Sequence, residues 1–320
     1  MTPTKIYFLK RLLLVLPLIF GISIFVFLLL NLVQGGPVAA LIGEKATTTE
    51  AVNNLREKFH LNDPMYVQYF YWLSNVVRGD LGNSIFSTQP VAEEIMARLP
   101  MTLSITFPAF LISVVFGVFA GSLAAYFRGR KVDRITVGTS TLLSSSPAFV
   151  VAILALYFLA LKLQLFPIFG TGLGGLRSYF WHLTLPILVV SLGPLAFITK
   201  LTRAAMLDEL KSDYYLFAQA RGLPKIHTIF HYALRNAMIP IVTASGLVFT
   251  GLLTSTVFVE AVFGLPGLGG LLVSSVKSTD IPLIQGIVLV VALWIILVNF
   301  LIDLLYLAVD PRVTFDKGSD

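Results

Sequence analysis

Cysteine is absent from the 320 residues, which removes disulfides, thiolate metal sites and a catalytic thiol from consideration. Charge is scarce as well. Asp, Glu, Lys and Arg make up only 12% of the chain while 56% is hydrophobic, against about 25% charged residues in an ordinary soluble domain. No Gly-x4-Gly-Lys-Ser/Thr phosphate loop occurs, so a nucleotide site of that kind is excluded. Internal repeats and low-complexity tracts are missing too. A chain this poor in charge reads as a membrane protein.

What the sequence does contain is long apolar runs. A spanning helix needs about 20 apolar residues in a row, because the hydrocarbon core is about 30 Å thick and each helical residue rises about 1.5 Å. Six stretches qualify: Leu12 to Val33, Met101 to Ala125, Ile135 to Ala160, Leu183 to Thr199, Ala237 to Val259 and Pro282 to Ile302. None holds an Asp, Glu, Lys or Arg, each of which costs about 3 kcal/mol or more at the bilayer centre. The predicted fold class is therefore all-α and polytopic, with six transmembrane helices. Lys5, Lys10 and Arg11 precede the first run in the manner of a secretory signal, but about 22 apolar residues exceed the usual signal core and no small-residue cleavage site follows closely. The first run is read as a retained span.

With the N-terminus inside, fifteen of the 23 Lys and Arg fall on the inner side: Lys5, Lys10, Arg11; Arg128, Arg130, Lys131, Arg134; Lys200, Arg203, Lys211, Arg221, Lys225, Arg235; Arg312, Lys317. This is the positive-inside bias, and it accounts for the net charge of +6 without a nucleic-acid partner. The expected location is the cytoplasmic (inner) membrane, with both termini cytoplasmic. Three regions follow: residues 1–100, a first span plus a large extracytoplasmic loop; residues 101–310, a transmembrane core with a cytoplasmic loop at about 201–236; and residues 311–320, a cytoplasmic tail. In the outer loop, Thr47-Thr48-Thr49-Glu50 ahead of Val52, Leu55 and Phe59 predicts a Thr-capped helix, broken at Asn62-Asp63-Pro64. Its aromatics Tyr66, Tyr69, Phe70, Tyr71 and Trp72 suit either packing at the membrane surface or contact with a ligand.

Between the fourth and fifth runs the pattern changes. Ser212 or Asp213 can cap a short helix through Gln219, Gly222 suits a left-handed stop, and Pro224 fits the start of a second helix. By helical spacing Ile226, Ile229, Phe230, Ala233 and Leu234 share one face, and Lys225, His227, Thr228, His231 and Arg235 the other. The segment is predicted to be a helix-turn-helix elbow with an amphipathic docking surface.

This loop resembles the EAA loop of ABC-importer permeases, whose pattern is Glu-Ala-Ala, three residues, Gly, nine residues, then Ile-x-Leu-Pro. Ala218, Gly222 and Leu234 match it, while Leu216, Phe217, Tyr232 and Arg235 depart from it. The variant Ala-Gln-Ala-Arg-Gly-Leu-Pro at 218–224 is similar to the form in peptide and nickel permeases. So are His60-Leu61-Asn62-Asp63-Pro64, Gly79-Asp80-Leu81-Gly82-Asn83-Ser84, Phe263-Gly264-Leu265-Pro266-Gly267-Leu268-Gly269, and Asp303-Leu304-Leu305-Tyr306 with Asp310-Pro311-Arg312. Together they resemble the B-type permease subunit of dipeptide/oligopeptide binding-protein-dependent importers. The resemblance implies the type I importer permease fold, a second related permease, two ATPase subunits that hold the ATP-Mg, and an extracytoplasmic substrate-binding protein. It also implies that the elbow transmits ATPase closure to the spans, through Asp213, Ala218, Gly222, Pro224, Ile226, Ile229, Phe230 and Leu234.

Other motifs bear on chemistry. His227 and His231 have the four-residue spacing of paired zinc ligands but lack the accompanying Glu, so no metal site is expected. Gly117 and Gly121 allow close helix approach. Ser144, Ser145 and Ser146 before Pro147 fit either local repair of a kink or a wet translocation path. Gly264, Pro266, Gly267 and Gly269 form an outward turn or re-entrant support at an external gate. Glu260 and Asp303 sit at span edges, where capping or inter-helix hydrogen bonding is expected. A secondary transporter or channel working without ATP is the alternative function, but it leaves the elbow unexplained and would call for midplane charges. A membrane-embedded hydrolase would need a base near the serines, and no His or Lys lies inside the runs.

Overall fold

The computed structural model describes residues 3–29, 50, 60, 62–172 and 175–309. The predicted Thr47–Thr49 cap, Leu61, the Asp303 side chain, Asp310-Pro311-Arg312 and the tail lie outside what is described. The described residues form helices joined by short loops, with one isolated antiparallel bridge between Asn83 and Pro90. In chain order they are α1 (Pro3–Leu28), α2 (Met65–Val77), α3 (Val91–Tyr126), α4 (Lys131–Ser145), α5 (Ala148–Ala155), α6 (Leu176–Glu209), α7 (Asp213–Ala220), α8 (Lys225–Thr228), α9 (Arg235–Phe263), α10 (Leu268–Ser278) and α11 (Ile281–Val309). A π-helical turn, Leu156–Lys162, follows α5, and another, Ile229–Leu234, joins α8 to α9.

Five of the six apolar runs appear as helices long enough to span. Four are unbroken: α3, α6, the continuous helix Ile226–Phe263, and Ile281–Ile302 of α11. The third run, expected as one span from Ile135 to Ala160, is broken instead. Helices α4 and α5 meet at 103°, because Pro147 has no N–H to continue the ladder and takes an extended backbone (φ −60°, ψ 135°). The first run is represented by α1, whose described apolar part is Leu13–Leu28. Helix α3 begins well before its run, so Glu93, Glu94 and Arg98 ride on a polar extension.

The chain divides into two compact units. One comprises residues 1–102 and 266–297. Its core is Val91 and Ile95 of α3, Leu268 and Leu271 of α10, and Leu283 and Ile287 of α11. Gly286 makes that core tight, since a Cβ there would run into Val91 Cγ1. Asp280, buried ahead of α11, fastens the 79–90 loop. Its Oδ2 accepts the Ser84 hydroxyl at 2.5 Å and the Ile85 N–H at 3.2 Å, and Oδ1 accepts the Leu283 N–H at 3.3 Å. Three donors offset the cost of burying one carboxylate. Of the aromatics at residues 66–72, Tyr69 is buried: its ring meets Phe20 and Phe27 of α1 edge-on, and its hydroxyl lies 2.7 Å from Ser23 Oγ. Tyr66 and Phe70 remain exposed.

The other unit comprises residues 103–265 and 298–320. Its tightest seam is where the Gly-x3-Gly pair lies against α6. A Cβ at Gly117 would fall 2.8 Å from Ile198 Cβ, and one at Gly121 2.6 Å from the Thr199 carbonyl. Ser113 Oγ donates to the Ser191 carbonyl across the same seam at 3.0 Å. At the end where α4 begins, Asp133 takes a two-pronged ion pair from Arg203 of α6, at 2.5 Å and 3.0 Å, and accepts the Gly129 N–H at 2.9 Å.

Candidate functional site

The elbow folds as the residue pattern dictates, with two changes of detail. Ser212 is extended (φ −71°, ψ 149°) ahead of α7, yet no side chain caps the helix. Ser212 Oγ donates instead to the Glu209 carbonyl at 2.6 Å, leaving Asp213 exposed in the first turn, where its charge suits the helix dipole. Gly222 follows α7 at φ 76°, and a Cβ there would touch nothing within 4 Å. The glycine is required by backbone conformation and not by space. Pro224 stands just before α8, its carbonyl taking the Thr228 N–H at 3.0 Å and the Thr228 hydroxyl at 3.1 Å.

The second change concerns which side chains face out. Ile229, 5% exposed, and Ala233, fully buried, pack with Tyr215 of α7, Met206 of α6, Ala125 of α3, and Ala237 and Ile241 of α9; Leu234 is partly buried against them. Ala218 is buried as well. Ile226 (66% exposed) and Phe230 (54%) stay on the surface, lining one shallow depression with Pro224, His227 and His231. The apolar stripe seen in the sequence is thus split between an inner and an outer contact. Thr228, assigned to the polar face, is buried, and the two histidines, also assigned there, share the outer face with Phe230. Their rings stack 5.1 Å apart at 13°. Among the described residues no group of three His, Asp or Glu lies close enough to hold a metal ion. Leu216 and Phe217 (70% exposed) of α7 add apolar surface at the elbow. Motif comparison marks them only as departures, although two large apolar residues in a polar loop are themselves a signal.

The three serines end α4. Each hydroxyl donates back to its own helix: Ser144 and Ser145 to the Thr141 carbonyl, Ser146 to the Leu142 carbonyl, at 3.2, 2.9 and 2.9 Å. Ser144 and Ser146 also line a cavity of about 450 Å³. The cavity is a half-open cleft in the bend between α4 and α5, lined also by Val189, Gly193, Pro194 and Phe197 of α6 and by Leu247, Gly251 and Ser255 of α9. Ser145 is not part of its wall. Lys200 Nζ donates to Ser144 Oγ at 2.7 Å, a contact that nothing in the sequence announces, since Lys200 reads there only as one inner positive charge.

The glycine-rich turn starts with Gly264, left-handed at φ 61°, which ends α9 with its N–H on the Glu260 carbonyl. Gly267 is extended ahead of α10, Pro266 lies between, and Gly269 is buried inside α10. Glu260 is fully buried.

A bundle of membrane-length helices carrying a small two-helix elbow with an apolar outer face defines a polytopic transport subunit. The chain belongs to the family described as binding-protein-dependent transport system inner membrane component, which matches residues 113–315; the companion N-terminal family matches residues 5–106. It is 38% identical over 312 residues to the probable peptide ABC transporter permease protein y4tP of Sinorhizobium fredii, covering 97% of this chain and 99% of that one. It is 36% identical over 309 residues to the glutathione transport system permease protein GsiC of Escherichia coli K12, with the same coverage. Among solved structures, a chain of the MetNI methionine ABC transporter in an inward-facing conformation matches with a TM-score of 0.57 at 18% identity, over 68% of this chain and 96% of that one. The fold is that of type I importer permeases.

Proposed function

We propose that this chain is the permease subunit of an importer for di- or oligopeptides and takes its energy from partner ATPases. Likeness to a peptide permease over 97% of the chain carries the reading, and glutathione, in the name of the second relative, is itself a small peptide. The elbow supports the coupling. Phe217, Ile226 and Phe230 offer exposed side chains of the kind that contribute about 1.5–3 kcal/mol each when buried, which suits an ATPase groove. Movement of the elbow is delivered through Ile229, Ala233, Tyr215 and Met206 to α6 and α9, and these helices line the cavity at the α4–α5 bend. ATP and Mg belong to the two ATPase subunits. A second, related permease completes the path, an extracytoplasmic substrate-binding protein delivers cargo, and lipid covers apolar side chains such as Phe107, Phe116 and Phe119 on α3. The placement of Lys and Arg supports an inner-membrane orientation with the elbow and both termini cytoplasmic, and the Gly264–Gly269 turn at the external gate.

Purification of the full chain from its native membrane is expected to bring ATPase chains and a second permease with it. Reconstituted with its binding protein, the complex should take up dialanine only with ATP and Mg. Uptake by this chain alone, driven by an ion gradient, would establish a secondary carrier instead.

A further inference from the structure

We infer that Lys200, which is not itself a lining residue but whose ammonium rests on the cavity-lining Ser144, forms with that serine a carboxylate-binding subsite at the edge of the cavity at the α4–α5 bend and takes the C-terminal carboxylate of the peptide as it passes. The inference rests on the peptide reading above. The cavity's volume of about 450 Å³ lies within the usual range for small-ligand sites, which are largely apolar with a few placed polar groups. Here those groups are Ser144, Ser146 and Ser255, with no acid among the lining residues.

Position makes Lys200 unusual. Arg203, one turn further along α6, is paired with Asp133, whereas no ion pair among the described residues includes Lys200. Its ammonium rests on Ser144, and Ser144 lies eleven residues beyond Asp133 on α4, a rise of about 16 Å. The side chain therefore reaches away from the level of the Asp133–Arg203 pair, toward the bend. The contact is exposed, so the ammonium is open to a ligand arriving from the cavity side. One of its three N–H groups is used on Ser144, and two are left for a ligand. A peptide's carboxylate is such a ligand. Since the wall offers no acid to the peptide's amino end, the site reads one terminus and ignores side chains, which suits a path that must pass many sequences.

Two measurements on the assembled importer test this. The chain has no native thiol, so Ser146→Cys places a single reporter on the cavity wall, its reaction followed by the mass of this chain. Rates with an anionic sulfonatoethyl and a cationic trimethylammonioethyl methanethiosulfonate report the local potential. Lys200→Met is expected to lower the anionic-to-cationic ratio about tenfold, and Lys200→Arg to restore it. An unchanged ratio would overturn the subsite. The second measurement is the uptake of dialanine relative to dialanine amide with one and the same binding protein, so that any change in the ratio belongs to the permease. It should fall about tenfold in Lys200→Met, equivalent to about 1.4 kcal/mol, while stimulation of ATP hydrolysis by the loaded binding protein persists. Ser144→Asp, which neutralises Lys200 in place, should shift both ratios in the same direction and serves if Lys200→Met does not assemble. Equal acid-to-amide ratios in wild type and variants would overturn the inference and leave the peptide reading standing. A wild-type complex that takes up neither compound would overturn both.

Discussion

Gly222 combines a left-handed backbone with open space where a Cβ would stand, and this separates two kinds of substitution. Asn tolerates φ > 0 and Val does not; forcing a non-glycine residue there costs about 1–3 kcal/mol. Gly222→Asn is therefore expected to keep most peptide uptake and Gly222→Val to lose it, with both proteins inserted in equal amounts by quantitative immunoblot. Ile229 and Phe230 make a second contrast, being neighbours in sequence with opposite surroundings. Phe230→Asp should abolish ATP-dependent uptake without lowering the amount of protein, because its ring is exposed in the isolated chain and removing a docking anchor typically costs at least about 2 kcal/mol of binding. Ile229→Asp places a charge in the chain's own core, and is expected to lower the folded yield in detergent by size-exclusion chromatography. Equal yields for the two variants would contradict the division into an inner and an outer face. Helical spacing groups these residues correctly as apolar, but it assigns a side chain to a stripe and not to the contact that covers it.

Among the elements, the spans are the most legible, because a run of about 20 residues without charge has few other fates. Gly117 and Gly121 likewise announce a close helix pair by their spacing alone, and the seam with α6 shows what a larger residue would meet. Gly121→Leu drives side-chain atoms into the Thr199 carbonyl, a backbone atom that cannot rotate aside, and should reduce thermal stability of the purified complex by several degrees or prevent its assembly. Gly138, with open space around it, is the control: Gly138→Ala should leave the melting temperature within about 1–2 °C. The bend of α4 and α5 is legible in place but not in size. Ser-Ser-Ser-Pro marks where a helix weakens, while 103° depends on how the two halves pack. The Asp280 clasp on Ser84 and the Lys200 contact with Ser144 are not legible at all, since 196 and 56 residues separate the partners and no local pattern connects them.

For the whole molecule, charge placement predicts an orientation that a chain without native cysteine makes simple to test. Gln89 is exposed in the loop before α3, and Gln219 is exposed on α7. Gln89→Cys should react with an impermeant maleimide in intact cells, and Gln219→Cys only after the membrane is opened. The reverse pattern would invert the molecule and place the elbow on the side where no ATP is available. Composition alone identifies a membrane protein, but the partnership with ATPases is carried by the wording of a few motifs, because energy supplied by another chain leaves no mark on hydropathy.

The π-helical turn between α8 and α9 has a bearing on insertions and deletions. Such a turn is one residue in excess of the α-helical count, held by i→i+5 bonds. Removing a single residue from Ile229–Leu234 would let the ladder close as ordinary α-helix and rotate everything before it by about 100° relative to α9. Ile226 and Phe230 would swing off their present bearing even though neither had been changed. The joint should therefore accept many replacements at its exposed positions but hardly any change in length, so its residue count, more than its spelling, keeps the outer face aimed.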